Sequence, residues 1–232
     1  MRRLLIQMKW QFLLLVRNKL ITISVLVTLV YVALFFGIRE AVPAEKVLVL
    51  LIMNDPAVIG WFFAGVIIMM EYRQNLLAAL LVSPGSLHTY LLARILPLSV
   101  VGWACALGMA LAAVGTQLQL VYFSVGVMGI CLLSCLLGVF IVSYTFEFLQ
   151  FTLRSVPVML LVNLPLLNYF GLTQLSLFGL SPFQPGLDLI AASFQSGAPA
   201  GKLALAALLL LGWCGLLYLL VYRMFKSRIL KL

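Results

Sequence analysis

Few side chains in this 232-residue chain have the chemistry for a reaction. There is one histidine, His88, and there are two aspartates, Asp55 and Asp188. Catalysis needs several polar groups converging on one point, and the apolar segments between these three put both aspartates on the opposite side of a membrane from His88. No pair of acids, no Ser/His/Asp set and no ligand cluster can be assembled. The four cysteines, Cys105, Cys131, Cys135 and Cys214, lie in apolar runs. Cys131 and Cys135 share a helix face and have the reach for a soft metal, but two thiols without a histidine or carboxylate make a poor site. They read better as small packing residues. Gly197-Ala-Pro-Ala-Gly201-Lys202 has the look of a phosphate-binding loop, yet the Walker pattern needs four residues between its glycines and a Ser or Thr after the lysine. Here three intervene and Leu203 follows. The expectation is a chain that is not an enzyme and binds no metal or cofactor of its own.

The elements that position these residues follow from composition. Hydrophobic residues make up 65% of the chain and charged ones 9%, whereas a soluble domain carries about 25% charged residues. That excludes a water-soluble fold and disorder. A transmembrane β-barrel alternates apolar and polar residues, while Ile95 to Phe146 contains no charge at all. The reading is all-α: a polytopic membrane protein with one domain over residues 1–232. A span needs about 20 apolar residues, so six of them leave no room for a soluble catalytic domain. Fifteen Lys and Arg against six Asp and Glu give a net charge of +9. Their placement along the chain points to lipid headgroups and topology, not to nucleic acid.

Residues 1–19 read as an amphipathic interfacial helix, with Leu4, Leu5, Met8, Phe12 and Leu15 at helical spacing and Arg2, Lys9 and Arg17 in reach of headgroups. The basic start lacks a small-x-small cleavage site, so the N-terminus is expected to be retained. Spans are expected at about 20–38, 56–71, 91–114, 120–144, 155–170 and 203–222. Asn54-Asp55-Pro56 is a helix-start signal, since a side-chain oxygen can cap free N–H groups and Pro fits the first turn. The second span is therefore placed from Pro56, with Val47 to Met53 as a separate segment at the outer face. The alternative is a continuous 24-residue span kinked at Pro56. Pro157 is expected in the first turn of the fifth span and Pro165 as a kink within it. A re-entrant or interfacial helix is expected near Leu187 to Phe194. With six spans and a cytoplasmic N-terminus, the inner segments hold twelve Lys and Arg and the outer ones three. That bias places both termini inside.

Glu71 to Arg94 is the informative stretch. Asn75 can cap a short helix carrying Leu76, Leu77, Leu80 and Leu81 on one face, Pro84 stops it, and Ser86 caps the next span. An apolar-faced helix across the cytoplasmic mouth suits docking into a groove on a partner; the alternative is an interfacial helix touching only lipid. Glu71 and Arg94, at the ends of consecutive spans, either pair with each other or each reach headgroups. Small-xxx-small spacings at Gly60/Ala64, Ala104/Gly108 and Ser134/Gly138 allow close helix approach or dimerisation.

This stretch resembles the signature of the ABC type-2 permeases, the membrane subunits of ATP-binding-cassette exporters. Glu71, Leu77, Ala79, Leu80, Leu81, Val82, Ser83, Pro84, Tyr90, Leu91, Leu92 and Arg94 carry the resemblance. Asp55-Pro56 is similar to members that export drugs. The layout is similar over nearly the whole chain: an N-terminal elbow helix, six spans, and a long outer segment before the last span. The sequence departs from the pattern at Asn75-Leu76 and Ala78, where the family often has Gly-Thr and Glu. The resemblance implies a bacterial inner-membrane, multi-pass permease that works as a dimer, a homodimer or one with a sister subunit. It also implies a separate ABC ATPase that binds ATP and Mg. Glu71, Asn75, Leu76, Leu77, Leu80, Leu81 and Pro84 would form the ATPase-coupling segment. The uncharged spans suit a hydrophobic or amphipathic cargo. The contrasting expectation is a membrane assembly or scaffold protein that moves nothing.

Overall fold

The computed structural model describes residues 2–39, 43–74, 76, 86–115, 118–172, 179–194 and 199–229. Among these the chain forms eight helices and no strand: α1 (Arg2–Arg17), α2 (Leu20–Ile38), α3 (Ala44–Arg73), α4 (Leu87–Val114), α5 (Leu120–Val142), α6 (Phe148–Tyr169), α7 (Gln184–Ser193) and α8 (Ala200–Ile229). Six of them, all but α1 and α7, are long and apolar enough to cross a membrane. The fold is thus the all-α, six-span architecture that composition implies.

The bundle is built around α3 and α5. Both are mostly buried, whereas α2 and α8 turn most of their surface outward. Small residues set the closeness of the α3–α5 crossing. A methyl on Gly60 would press on Ser134 and the Cys131 carbonyl, and one on Gly138 would collide with the Trp61 backbone. Ser134/Gly138 therefore packs inside the chain, while Ala104 and Gly108 lie on the exposed face of α4. Cys131 Sγ donates to the Pro56 carbonyl at 3.3 Å, and Cys135 Sγ lies 3.9 Å from Ser99 Oγ, so both thiols face neighbouring helices.

Two apolar clusters divide the core by depth. One joins Val47 to Ala57 of α3 with Phe123, Val127 and Ile130 of α5 and Leu187 and Ile190 of α7. The other joins Leu15 of α1, Ile67 and Ile68 of α3, Tyr90 and Leu91 of α4, Val139 and Val142 of α5, and Phe225 of α8. The first and last helices therefore contribute to the same end of the bundle, which is what an even number of crossings requires.

Two helix starts differ most from the sequence expectation. Helix α3 does not start at Pro56 but runs unbroken from Ala44. Pro56 removes the backbone donor to the Ile52 carbonyl, yet Val47 to Met53 belong to the first core cluster. Their burial holds the helix through the proline. Helix α6 starts at Phe148, two turns before Ser155, and both Pro157 and Pro165 lie inside it. Its first turns are fastened by Phe151, which is fully buried against Gly65. Thr145 Oγ1 also donates to Gln150 Oε1 at 3.0 Å. In α1 the face turned to the bundle carries Gln11 and Leu15, both buried, while Leu5 and Phe12 point outward. Helix α2 keeps the expected bounds. It follows the two-residue joint Asn18-Lys19, in which the φ of Lys19, 57°, is in the left-handed region.

Candidate functional site

Glu71 and Arg94, which bound the informative stretch, converge at the end of the bundle to which α1 and the last turns of α8 contribute. Glu71 lies in the last turn of α3 and is 7% exposed. Arg94 is the eighth residue of α4, and its Nη2 is 2.6 Å from Glu71 Oε1. Tyr90 precedes Arg94 by four residues, so both project from one helix face. Its hydroxyl donates to Glu71 Oε2 at 2.5 Å, and the Arg94 guanidinium sits 4.9 Å from its ring centre. Both carboxylate oxygens are thus engaged by α4, in an arrangement that locks the end of α3 to the start of α4.

Neighbouring helices cover this joint. The Tyr90 ring stacks on Phe225 of α8 with centres 6.0 Å apart. Two residues earlier, His88 stacks on Tyr222 at 3.8 Å, and its Nδ1 lies 2.8 Å from the Tyr218 hydroxyl. On the other side, α1 leaves a cleft of about 230 Å³ lined by Gln7, Trp10, Gln11, Leu14, Glu71, Leu76, Tyr90 and Arg94. Gln7 Oε1, Gln11 Oε1 and Arg94 Nε, all buried, have no hydrogen-bond partner. Tyr72 extends the joint by stacking on Phe146, ahead of α6, at 3.8 Å.

Ser86 caps α4, its side chain accepting from the Thr89 N–H at 3.2 Å. Leu76 is exposed at the rim of the cleft. Asn75, Leu77, Leu80, Leu81 and Pro84 of the expected coupling segment lie outside the described residues. The Glu71–Arg94 pair ties together the two helices that this segment joins.

A second polar group stands apart from this joint. Asp55 is 1% exposed, and its Oδ2 lies 2.9 Å from Thr28 Oγ1 of α2. Thr28 is eight residues from the start of the 19-residue α2 and ten from its end, or about 12 Å and about 15 Å at 1.5 Å per residue. Asp55 is therefore at mid-depth, not at the outer face where a helix start at Pro56 puts it. This corrects the expectation of uncharged spans. Tyr31 and Cys105 lie within electrostatic range of it. Sequence reasoning missed the role of one residue here and the depth of another. Tyr90 is signalled by its i, i+4 spacing to Arg94, and the depth of Asp55 by the length of the apolar run from Val47 to Met70.

The family model described as "Fluoroquinolones export permease protein family" matches residues 2–231, nearly the whole chain. No curated protein matches it.

Proposed function

The chain belongs to the fluoroquinolones export permease family, and from that premise we propose that it is the transmembrane half of an ATP-driven exporter whose ATPase is a separate chain. It is a multi-pass membrane protein, and membership makes it an export permease. The proposal adds the energy source, the orientation and the cargo. The end bearing α1 and the last turns of α8 faces the cytoplasm of a bacterial inner membrane, in keeping with the twelve-to-three bias of basic residues. Two permeases and two ATPases form the working unit, and the cargo is hydrophobic or amphipathic, with quinolones as the first candidates.

The observation that carries the coupling reading is the Glu71–Arg94–Tyr90 joint. The segment between α3 and α4 starts three residues after Glu71 and ends eight before Arg94, so a force on it reaches both helices through one ion pair. The joint also touches α8 through Phe225 and is covered by α1. A displacement delivered there moves α1, α3, α4 and α8 together. ATP can bias the permease only by binding better to an ATPase dimer that fits one permease arrangement, and the segment and joint supply the mechanical link.

The test is co-purification with the ATPase encoded beside the permease, followed by cargo-stimulated ATP hydrolysis. Leu80→Asp and Leu81→Asp are expected to abolish ATPase binding. Arg94→Met is expected to leave binding in place and lower cargo stimulation. Unchanged binding and stimulation in all three variants would remove segment and joint from the transmission path.

A further inference from the structure

Of the acids among the described residues, Glu45 opens α3, Glu71 ends it, Glu147 precedes α6 and Asp188 lies on α7. Only Asp55 stands at mid-depth in the bundle. An ionisable side chain there is costly and is by default a functional candidate, and secondary transporters place cargo sites near the membrane midplane. Asp55 has no Lys or Arg partner among the described residues; the ion pair there, Glu71–Arg94, is 16 residues along α3, or about 24 Å away.

The bonding around Asp55 is incomplete. Its Oδ1 is buried with no hydrogen-bond partner. Its Oδ2 lies 2.9 Å from Thr28 Oγ1, which is also 2.9 Å from the Ser24 carbonyl. A hydroxyl carries one proton, so full hydrogen bonds to both acceptors require a proton on the carboxyl itself. The closed site thus has room in its chemistry for one positive charge in place of that proton, and an oxygen ready to accept from it. The cover is light, since only Ser24, Thr28 and Phe35 of α2 are buried. Moving α2 outward uncovers the carboxyl without disturbing the α3–α5 crossing. Tyr31, an aromatic residue of the kind that attracts organic cations, lies within electrostatic range of Asp55.

We propose that Asp55 binds the protonated amine of an amphipathic cargo at mid-depth, Thr28 of α2 holding the carboxyl while the site is empty. The ammonium donates to Oδ1, the carboxyl proton leaves to water, and the apolar body of the cargo lies along the α2–α3–α4 junction. The inference rests on the export reading and narrows its cargo to amine-bearing amphiphiles.

The test is equilibrium binding to the purified full-length chain in lipid nanodiscs, with empty discs subtracted, for wild type, Asp55→Asn and Asp55→Glu. Ciprofloxacin, which carries a piperazinyl amine, and the cationic dye rhodamine 6G are compared with nalidixic acid, a quinolone without an aliphatic amine. Asn keeps an oxygen for Thr28, and a thermal melt checks that the variant is folded. Asp55→Asn is expected to weaken both cations by roughly 30-fold or more, to leave nalidixic acid unchanged, and to be partly rescued by Glu. Equal weakening of all three probes, or none, overturns the proposal. So does a wild type that binds neither cation, and in that event ATPase co-purification still decides the permease reading on its own.

Discussion

A double-mutant cycle on Glu71 and Arg94 separates a mechanical joint from two residues that merely sit near headgroups. The pair is mostly buried, with side-chain exposures of 9% for Glu71 and 18% for Arg94. Unit charges about 4 Å apart at an effective dielectric of about 20 attract by about 4 kcal/mol, much of it offset by desolvation. Arg94→Met strands a carboxylate that only Tyr90 still serves, and such a loss costs about 3–5 kcal/mol. Glu71→Gln is expected to cost less, about 1–2 kcal/mol, because Arg94 is the more exposed partner and can extend to headgroups. The double variant removes both charges and is expected to be more stable than Arg94→Met alone, giving a coupling energy of about 2 kcal/mol. The assay is reversible unfolding in mixed micelles titrated with SDS. Additivity within about 0.5 kcal/mol refutes the reasoning, as does an Arg94→Met variant as stable as wild type.

Three further outcomes follow from local geometry. Gly138→Ala drives a methyl into the Trp61 backbone and is expected to cost about 1–3 kcal/mol, read as a lower melting temperature, while Gly108→Ala, with nothing near it, is expected to be neutral or slightly stabilising. Ser86→Ala deletes the oxygen that accepts from the Thr89 N–H and is expected to cost about 1 kcal/mol in the same unfolding assay. Lys19→Gly relieves a left-handed residue between α1 and α2 and is expected to stabilise by about 1 kcal/mol, with a drop in stability counting against a strained joint.

The number of crossings was legible because it depends only on long uncharged runs, which no tertiary contact can disguise. Leu20–Ile38 is the plainest case: it has no proline and no charge, its ends are marked by Lys19 and Arg39, and its bounds are as the sequence implies. The prolines were another matter. Pro56 and Pro157 both follow the local rule for a helix start, and in both places buried residues upstream, Val47 to Met53 and Phe151, hold helix where backbone chemistry alone would end it. The misplacement of Asp55 followed from that one boundary: once α3 is continuous, the residue moves from the rim to the middle. The convergence of Glu71 and Arg94 could be posed as a question from sequence, but Tyr90 between them and Phe225 above them depend on how α4 and α8 cross. The burial of Gln11 in α1 depends in the same way on tertiary packing. Gln11 is polar, and only the orphaned polar groups of the cleft beside it show that this helix covers a polar joint as well as an apolar core.

The most direct measurement of the whole account is ATP-dependent accumulation of ciprofloxacin in inside-out vesicles. It compares the permease with its neighbouring ATPase, the permease alone, and the pair carrying an ATPase unable to hydrolyse ATP. The account predicts uphill accumulation only for the intact pair with ATP. Uphill accumulation by the permease alone, driven by no nucleotide, would contradict it.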